Sequence, residues 1–473
     1  MHLPCCVSRL SLAGLLPLVL TGCEISSTSA PTADAGLAIH GSVHGGQQPI
    51  VGAEVYLLAA NTTGYGKPSV SLLNAASTGY SSSLGAYVPT AVDGSFTITG
   101  DYSCTPNTQV YLYSLGGSQG GIANPAAGLL AALGNCPSSG NFLSSTPYIV
   151  VNEVSTVAAA YAFAGFATDA THVSSSGTPL AQIGIANAFA NATNLAGIST
   201  GAALATTPAG NGTVPQAEIN TLANILASCI NSSGAITGPI SPSTCYTLFN
   251  AAQSAGSSGT IPSDTATAAI NIAHNPAANI ASLCGLQTAT APFQPDLACS
   301  NVSPSTYPND FTISLSISTG GVLGLDALAI DGLGNAWFVT AGLPGIAPFL
   351  NEYSNLGAPI SPATGYIAAG GPLAVDASDN VWIIGSGLFE LNNSGSLISP
   401  ATGYTGLPGQ PTAGLAFDVG GNVWVSNYLY TISEFSSSGT LILPAATPEP
   451  IRSGYSGSEY STTYPAVDGS NNV

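Results

Sequence analysis

An eleven-residue motif recurs along the C-terminal part of this 473-residue chain. Its copies occupy residues 328–338, 373–383 and 415–425, and a fourth, shorter copy occupies 465–473. The aspartates of successive copies are 45, 42 and 50 residues apart, and all three tryptophans of the chain stand at the same motif position. A period of ~40–50 residues with strand–turn–strand content predicts one small β-sheet per repeat over residues 308–473. The repeated positions are Asp331, Asn335 and Trp337; Asp376, Asn380 and Trp382; Asp418, Asn422 and Trp424; and Asp468.

Each repeated residue type suits a particular place in a β-hairpin. Aspartate can accept backbone N–H groups across the turn, asparagine or glycine tolerates a left-handed backbone, and tryptophan can wedge between neighbouring sheets. In the competing hypothesis, Asp331, Asp376, Asp418 and Asp468 form a Ca²⁺ ladder, but each belongs to its own hairpin. We therefore expect turn caps at these positions and no metal site.

The repeats resemble NHL-type and streptogramin-lyase-like (virginiamycin B lyase-like) β-propellers. That resemblance implies one blade per repeat, and for the lyases it implies catalysis by histidine and acidic residues at the central mouth. Residues 300–473 contain no histidine, so the scaffold pattern is present without the catalytic one. Closed propellers need about 4–8 blades, so we expect a partial propeller of about three blades in a truncated chain.

The N-terminus has the features of an export signal. A short apolar run precedes the sequence Leu-Thr-Gly-Cys at residues 20–23, and the run is too short to span a membrane. This sequence resembles the lipobox of bacterial lipoproteins, which implies a signal peptide at 1–22, lipidation of Cys23 and a tether at 23–36. Glu24 implies, by the same resemblance, the outer membrane. The alternative is a plain secretory signal.

Six cysteines remain after the signal segment, and an even number in an exported chain predicts disulfides. Their spacings of 32, 16 and 15 residues favour sequential pairing, although 15 connectivities are formally possible. A zinc site is disfavoured, because no Cys-x₂-Cys pair and no neighbouring histidine accompany them. The expected pairs are Cys104 with Cys136, Cys229 with Cys245, and Cys284 with Cys299.

Two further domains are predicted between the tether and the repeats. Residues 37–116 contain short alternating runs separated by Gly and Asp-Gly turns, which predict an antiparallel β-sandwich. This segment resembles the carboxypeptidase regulatory-like modules of bacterial surface proteins, which space other domains and carry no chemistry. Residues 117–300 are Ala-rich and are predicted to form a helical domain stapled by disulfides, in which Ser241-Pro242 opens the helix carrying Cys245.

One segment matches the Gly-x-Ser-x-Gly pattern of a nucleophile elbow, with Ser118 at its centre. Such an elbow needs a base, and only His172 and His274 follow, neither in a loop typical of a triad position. In a chain with 56 glycines the match is attributable to composition, so Ser118 is a weak catalytic candidate.

Charge excludes several classes of partner. The chain has 3 Lys and Arg against 22 Asp and Glu, a net charge of −19, which leaves nothing to neutralise the phosphates of nucleic acid. We therefore expect a multidomain envelope lipoprotein, anchored to the membrane by lipid, without a cofactor. Its propeller loops would bind an unidentified protein or glycan without catalysis; the alternative is a hydrolase or lyase using Ser118 or a propeller-mouth site.

Overall fold

The computed structural model describes most of the chain after the predicted tether. The described residues are 38–99, 102–142, 148–288, 290–297, 299, 307–319, 324–340, 347–407, 412–427, 432–446 and 465–468.

The first part of the described chain consists almost entirely of strands. These elements are β1 (Ile39–Gly45), β2 (Gln48–Pro49), β3 (Glu54–Ala59), β4 (Val70–Ser71), α1 (Ala75–Thr78), β5 (Ser81–Ser82), β6 (Gly85–Ala86), β7 (Val88–Pro89), β8 (Ser95–Ile98), β9 (Gln109–Leu115), β10 (Ser118–Gln119), β11 (Ile122–Ala123), β12 (Gly128–Asn135) and β13 (Ile149–Val151). One sheet has the order β12-β9-β3-β4, with β7 also on β3, and is antiparallel throughout. In the second, β1 pairs with β2 and β8 antiparallel and with β13 parallel.

Helices alternate with very short strands in the middle of the chain. They are α2 (Glu153–Ala162), a 3-10 turn (Ala164–Phe166), β14 (Ala167–Asp169), β15 (His172–Val173), α3 (Pro179–Leu195), β16 (Ala196–Gly197), β17 (Ala202–Ala203), β18 (Gly212–Thr213), α4 (Gln216–Ile230), α5 (Thr244–Ala251), α6 (Thr265–His274) and α7 (Ile280–Cys284). Helix α5 has Ser243 as its N-cap, so the predicted start at Ser241-Pro242 lies two residues too early. Among the helices that the structure describes, none is both long enough and apolar enough to cross a membrane.

The segment 117–300 is not helical from its beginning, which corrects the expectation for its first part. Strand β12 pairs with β9 over seven positions, and its residues Leu129, Leu130 and Ala131 are fully buried. Helices α2, α3 and α6 all pack against β12, so one continuous apolar run is covered on both sides. Such a run fits a buried strand and a buried helix equally well by pattern alone.

One hydrophobic core unites the N-terminal sheets with the helices. It extends from Ile39 of β1 to Phe311 and includes Tyr111 of β9, Val157 of α2 and Leu222 of α4. The segments predicted as separate sandwich and helical domains therefore share their interior.

The three expected disulfides are present, in sequential order. Cys104 is bonded to Cys136, Cys229 to Cys245 and Cys284 to Cys299, with Cα–Cα distances of 6.0, 4.5 and 5.0 Å. The second joins the end of α4 to the start of α5, and the third joins the end of α7 to the loop that follows it.

Each complete copy of the motif builds one small antiparallel sheet. The strands of this part are β19 (Ser316–Ile317), β20 (Leu325–Ile330), β21 (Ala336–Thr340), β22 (Leu350–Tyr353), β23 (Leu373–Val375), β24 (Val381–Ile384), β25 (Leu388–Leu391), β26 (Thr412–Phe417), β27 (Val423–Asn427), β28 (Ile432–Phe435) and β29 (Leu441–Ala446). The sheets are β20-β21-β22, β23-β24-β25 and β26-β27-β28-β29, and within the described residues none closes on itself. The register is the same in all three, since each tryptophan pairs with the alanine of its motif.

Candidate functional site

The repeat aspartates cap the first hairpin of each sheet, as their position predicts. Asp331 Oδ1 accepts the backbone N–H of Leu333 at 2.9 Å and of Asn335 at 2.8 Å, which satisfies donors that the tight turn leaves unpaired. Its Oδ2 accepts the indole Nε1–H of Trp337 at 3.0 Å. Equivalent contacts recur through Asp376, Asn380 and Trp382 and through Asp418, Asn422 and Trp424.

A glutamate that was not predicted from the sequence completes each network. Asn335 Nδ2 donates to Asp331 Oδ2 at 3.1 Å and to Glu352 Oε1 at 3.0 Å, and Tyr366 Oη donates to Glu352 Oε2 at 2.7 Å. The second sheet repeats this with Asn380, Glu390 and Tyr404, and the third with Asn422 and Glu434. The available signal was a second repeated segment, Ser-Pro-Ala-Thr-Gly-Tyr, which ends at Tyr366 and Tyr404, each 14 residues after its glutamate.

The glutamates of the first two sheets are closed to solvent. Glu352 is 1% exposed and Glu390 is 2% exposed. Burial raises the pKa of both; the tyrosine hydrogen bonds oppose this, and the charges of Asp331 and Asp376 add to it. Burial and the partner glutamate also raise the pKa of the Tyr366 phenol. The arrangement therefore holds the strands together, and in the first two sheets it leaves no accessible glutamate to act as an acid or base.

The tryptophans pack between consecutive sheets. Trp337 is fully buried in a cluster with Leu373 and Val381 of the next sheet, and Trp382 is fully buried with Val423 of the third. Trp424 is only half-buried. The packing of Trp337 and Trp382 between sheets is as the sequence predicts. The greater exposure of Trp424 is also expected of the last complete repeat.

Ser118 lies in a hairpin and not in a nucleophile elbow. It pairs with Ala123 in β10–β11, and its backbone exchanges two hydrogen bonds with Val51. A strand follows the serine where the elbow requires a helix. The Gly-x-Ser-x-Gly match therefore reflects a glycine-rich turn, with Gly116 and Gly117 both at positive φ.

Three of the four described histidines hydrogen bond to residues other than Ser118. His172 Nδ1 lies 2.9 Å from Asp169, His274 Nε2 donates to the carbonyl of Ala164 at 2.8 Å, and His40 hydrogen bonds to Thr97. No histidine in the described part of the chain hydrogen bonds to Ser118, so the serine has no base. Across the same residues, no group of three or more His, Cys, Asp or Glu side chains is arranged to hold a metal ion.

Several cavities lie among the described N-terminal sheets and helices. The largest of three is about 570 Å³ and lies beside β3, β4 and the loop before β9. The second, of about 520 Å³, is bounded by β9, the β14–β15 turn and the start of α6. The third, of about 410 Å³, lies beside the β1–β2 hairpin and the start of α2. All three fall within the usual size range of small-molecule sites.

Cys23 and the predicted signal peptide lie outside the described residues, as does the chain from 469 to 473 that completes the fourth motif copy after Asp468. No protein-family model matches the chain, and no curated protein is similar to it.

Proposed function

We propose that this chain is a non-catalytic binding or scaffolding lipoprotein of the bacterial cell envelope, anchored by lipid at Cys23. Its C-terminal repeats would be blades of an NHL-like β-propeller, carried above a β-sandwich stalk, with loops that contact a protein or glycan. One observation carries this proposal: the repeated Asp, Asn, Trp and Glu side chains form hydrogen bonds within their own sheets, which is a structural role.

The location is supported by cysteine chemistry. Three disulfides persist only in an oxidising compartment, and the sequence Leu-Thr-Gly-Cys at 20–23 resembles a lipobox. A lipid anchor on an exported chain would place the protein at the outer membrane. The alternative of a hydrolase or lyase gains nothing from Ser118, because its hairpin setting lacks both elbow and base.

The location is tested by expressing the full chain in bacteria fed a radiolabelled fatty acid. We expect label and membrane association in the wild type and in Cys6→Ala, a control within the signal segment, and neither in Cys23→Ala. Label retained by Cys23→Ala would overturn the anchor.

The absence of catalysis is tested with the purified mature chain on chromogenic esters, glycosides and a β-elimination substrate. We expect no turnover above a heat-denatured control. Turnover that Ser118→Ala abolishes would replace the binding proposal with the hydrolase or lyase alternative.

A further inference from the structure

We propose that the 520 Å³ cavity between β9, the β14–β15 turn and the start of α6 binds a neutral, polyhydroxylated molecule of sugar size. None of its lining residues belongs to the repeats. The inference therefore goes beyond the proposed function, and either can fail without the other.

The cavity has the mixed lining that a sugar ring requires. Leu115, Pro125, Ile261 and Pro262 supply apolar surface for the C–H faces of a ring. Hydroxyl groups of threonine and serine, the Asn271 amide and two carboxylates supply hydrogen-bonding groups around it.

Tyr113 is the observation that points to a ligand. The residue is 2% exposed, and its ring stacks on Tyr56 with centroids 6.0 Å apart, so its orientation is fixed. Tyr113 lines the cavity, where its hydroxyl is accessible to solvent and makes no hydrogen bond to a residue that the structure describes. By contrast, Tyr111, two residues earlier on the same strand, donates to the carbonyl of Ala170 at 2.9 Å. Because the ring is fixed and its hydroxyl has no protein partner, an oxygen of a bound ligand can accept the phenolic hydrogen in place of water.

Two carboxylates are held rigidly in the same wall. Asp264 caps α6, accepting the N–H groups of Ala266 and Thr267 at 3.0 Å each. Asp169 accepts the backbone N–H of Thr171 at 2.8 Å and faces His172 at 2.9 Å. Both carboxylates line the cavity, where they can accept further hydrogen bonds from a ligand that donates.

Charge and hydrogen-bond polarity select the ligand class. The described lining contains two acids and no Lys, Arg or His, so an anion would find no cationic partner among the lining residues. An ammonium ion could donate to Asp169 and Asp264 but has no lone pair to accept from Tyr113. A neutral polyol both donates and accepts, and so satisfies all three groups.

The test is calorimetric titration of the full mature chain with glucose, galactose, N-acetylglucosamine and maltose, with gluconate and methylammonium as charged comparisons. We expect at least one neutral sugar to bind saturably with one site per chain. Tyr113→Phe, which keeps the ring and removes the hydroxyl, should weaken that binding about threefold to tenfold. Tyr102→Phe removes another buried hydroxyl outside this cavity and should leave affinity unchanged.

A second variant tests whether the sugar binds in this cavity. Ile261 lines the cavity and is 50% exposed, so Ile261→Trp can fill the space from its rim and should abolish binding while the melting temperature stays near wild type. If no neutral sugar binds saturably, the cavity holds only water and the proposal is overturned. Binding of the charged compounds alone, or neutral-sugar binding that Tyr113→Phe and Ile261→Trp leave intact, overturns it as well.

Discussion

The two carboxylate oxygens of each repeat aspartate accept hydrogen bonds from different groups. Oδ1 of Asp331 satisfies the N–H groups of the turn, and Oδ2 receives the indole of Trp337. A buried indole needs a partner for its N–H, so the hairpin cap also makes burial of the tryptophan possible. Replacing the carboxylate would therefore leave several donors unsatisfied at once.

Asp331→Ala should destabilise the first repeat sheet by about 2–4 kcal/mol, because the N–H groups of Asn335 and Trp337 lose a charged acceptor. The measurement is urea unfolding of the full chain followed by tryptophan fluorescence. Asp326→Ala, at an exposed position of β20, is the matched control and should change stability by less than about 0.5 kcal/mol. Equal losses in the two variants would contradict the cap.

Glu153 is a second residue whose chemistry depends on burial. It is fully buried at the first position of α2, and its Oε1 accepts the backbone N–H of Gly46 at 2.7 Å, while Oε2 has no partner. Burial raises the pKa of this carboxyl to about 8, against the hydrogen bonds that favour its charged form. The folded protein therefore keeps this proton at neutral pH, whereas the unfolded chain releases it.

This difference predicts a pH dependence of stability with a definite sign. Between the unfolded pKa of 4.5 and the folded value of about 8, the folded state binds more protons, so stability falls as pH rises through that window. Glu153→Gln lacks the titration, so its stability relative to wild type should rise by about 3–5 kcal/mol from pH 4 to pH 9. Parallel pH profiles in denaturant unfolding would refute this assignment.

At the level of elements, amide side chains fasten the first repeat sheet to helix α3. Asn187 Nδ2 donates to the carbonyl of Leu333 at 2.6 Å, and its Oδ1 accepts from Asn355 at 2.7 Å. Asn194 Nδ2 reaches the carbonyl of Leu356 at 3.4 Å. Strand β19 also pairs with β18, so backbone and side-chain bonds both connect the helical part to the repeats.

Asn187→Ala should loosen this contact, because two hydrogen bonds between α3 and the first repeat sheet are lost. We expect hydrogen–deuterium exchange to rise about tenfold in peptides covering 333–335 and 355–357, as a loss of about 1.4 kcal/mol implies. Gln182→Ala, on the same helix, removes a bond only to Gly177 and is the control. Unchanged exchange in Asn187→Ala would show that the contact carries no stability.

Local patterns in the sequence predicted some elements well and others poorly. In α4, apolar residues recur every three or four positions from Ile219 to Ile230, and these residues are buried. That spacing predicts a helix and does not fit a strand. Strand β12 was missed because an uninterrupted apolar run has no period. Glu352 was missed because its partner Asn335 lies 17 residues away, on another strand, and no local rule links them. The Tyr113 cavity depends on elements far apart in the chain and has no sequence signature.

At the scale of the whole molecule, the repeat sheets form a stack with unlike ends. Inside it, each Trp-bearing face is covered by the Leu-Ala-x-Asp strand of the following sheet. At the first end, Leu328 and Ile330 are 58% and 57% exposed, although Leu373, the equivalent of Leu328, is buried. At the other end, Trp424 is half-buried. Successive sheets therefore cover one another's apolar faces. The first sheet exposes the face that carries Leu328 and Ile330, and the third sheet partly exposes the face that carries Trp424.

The following sheet encloses Trp337 and Trp382 but leaves Trp424 half-buried. Acrylamide quenching of tryptophan fluorescence can tell the three apart, because the chain has no other tryptophans. The full chain and three single variants, Trp337→Phe, Trp382→Phe and Trp424→Phe, would be compared under native conditions. We expect one accessible, red-shifted component that only Trp424→Phe removes. An accessible component that survives in Trp424→Phe, or disappears in Trp337→Phe or Trp382→Phe, would contradict the stacked arrangement.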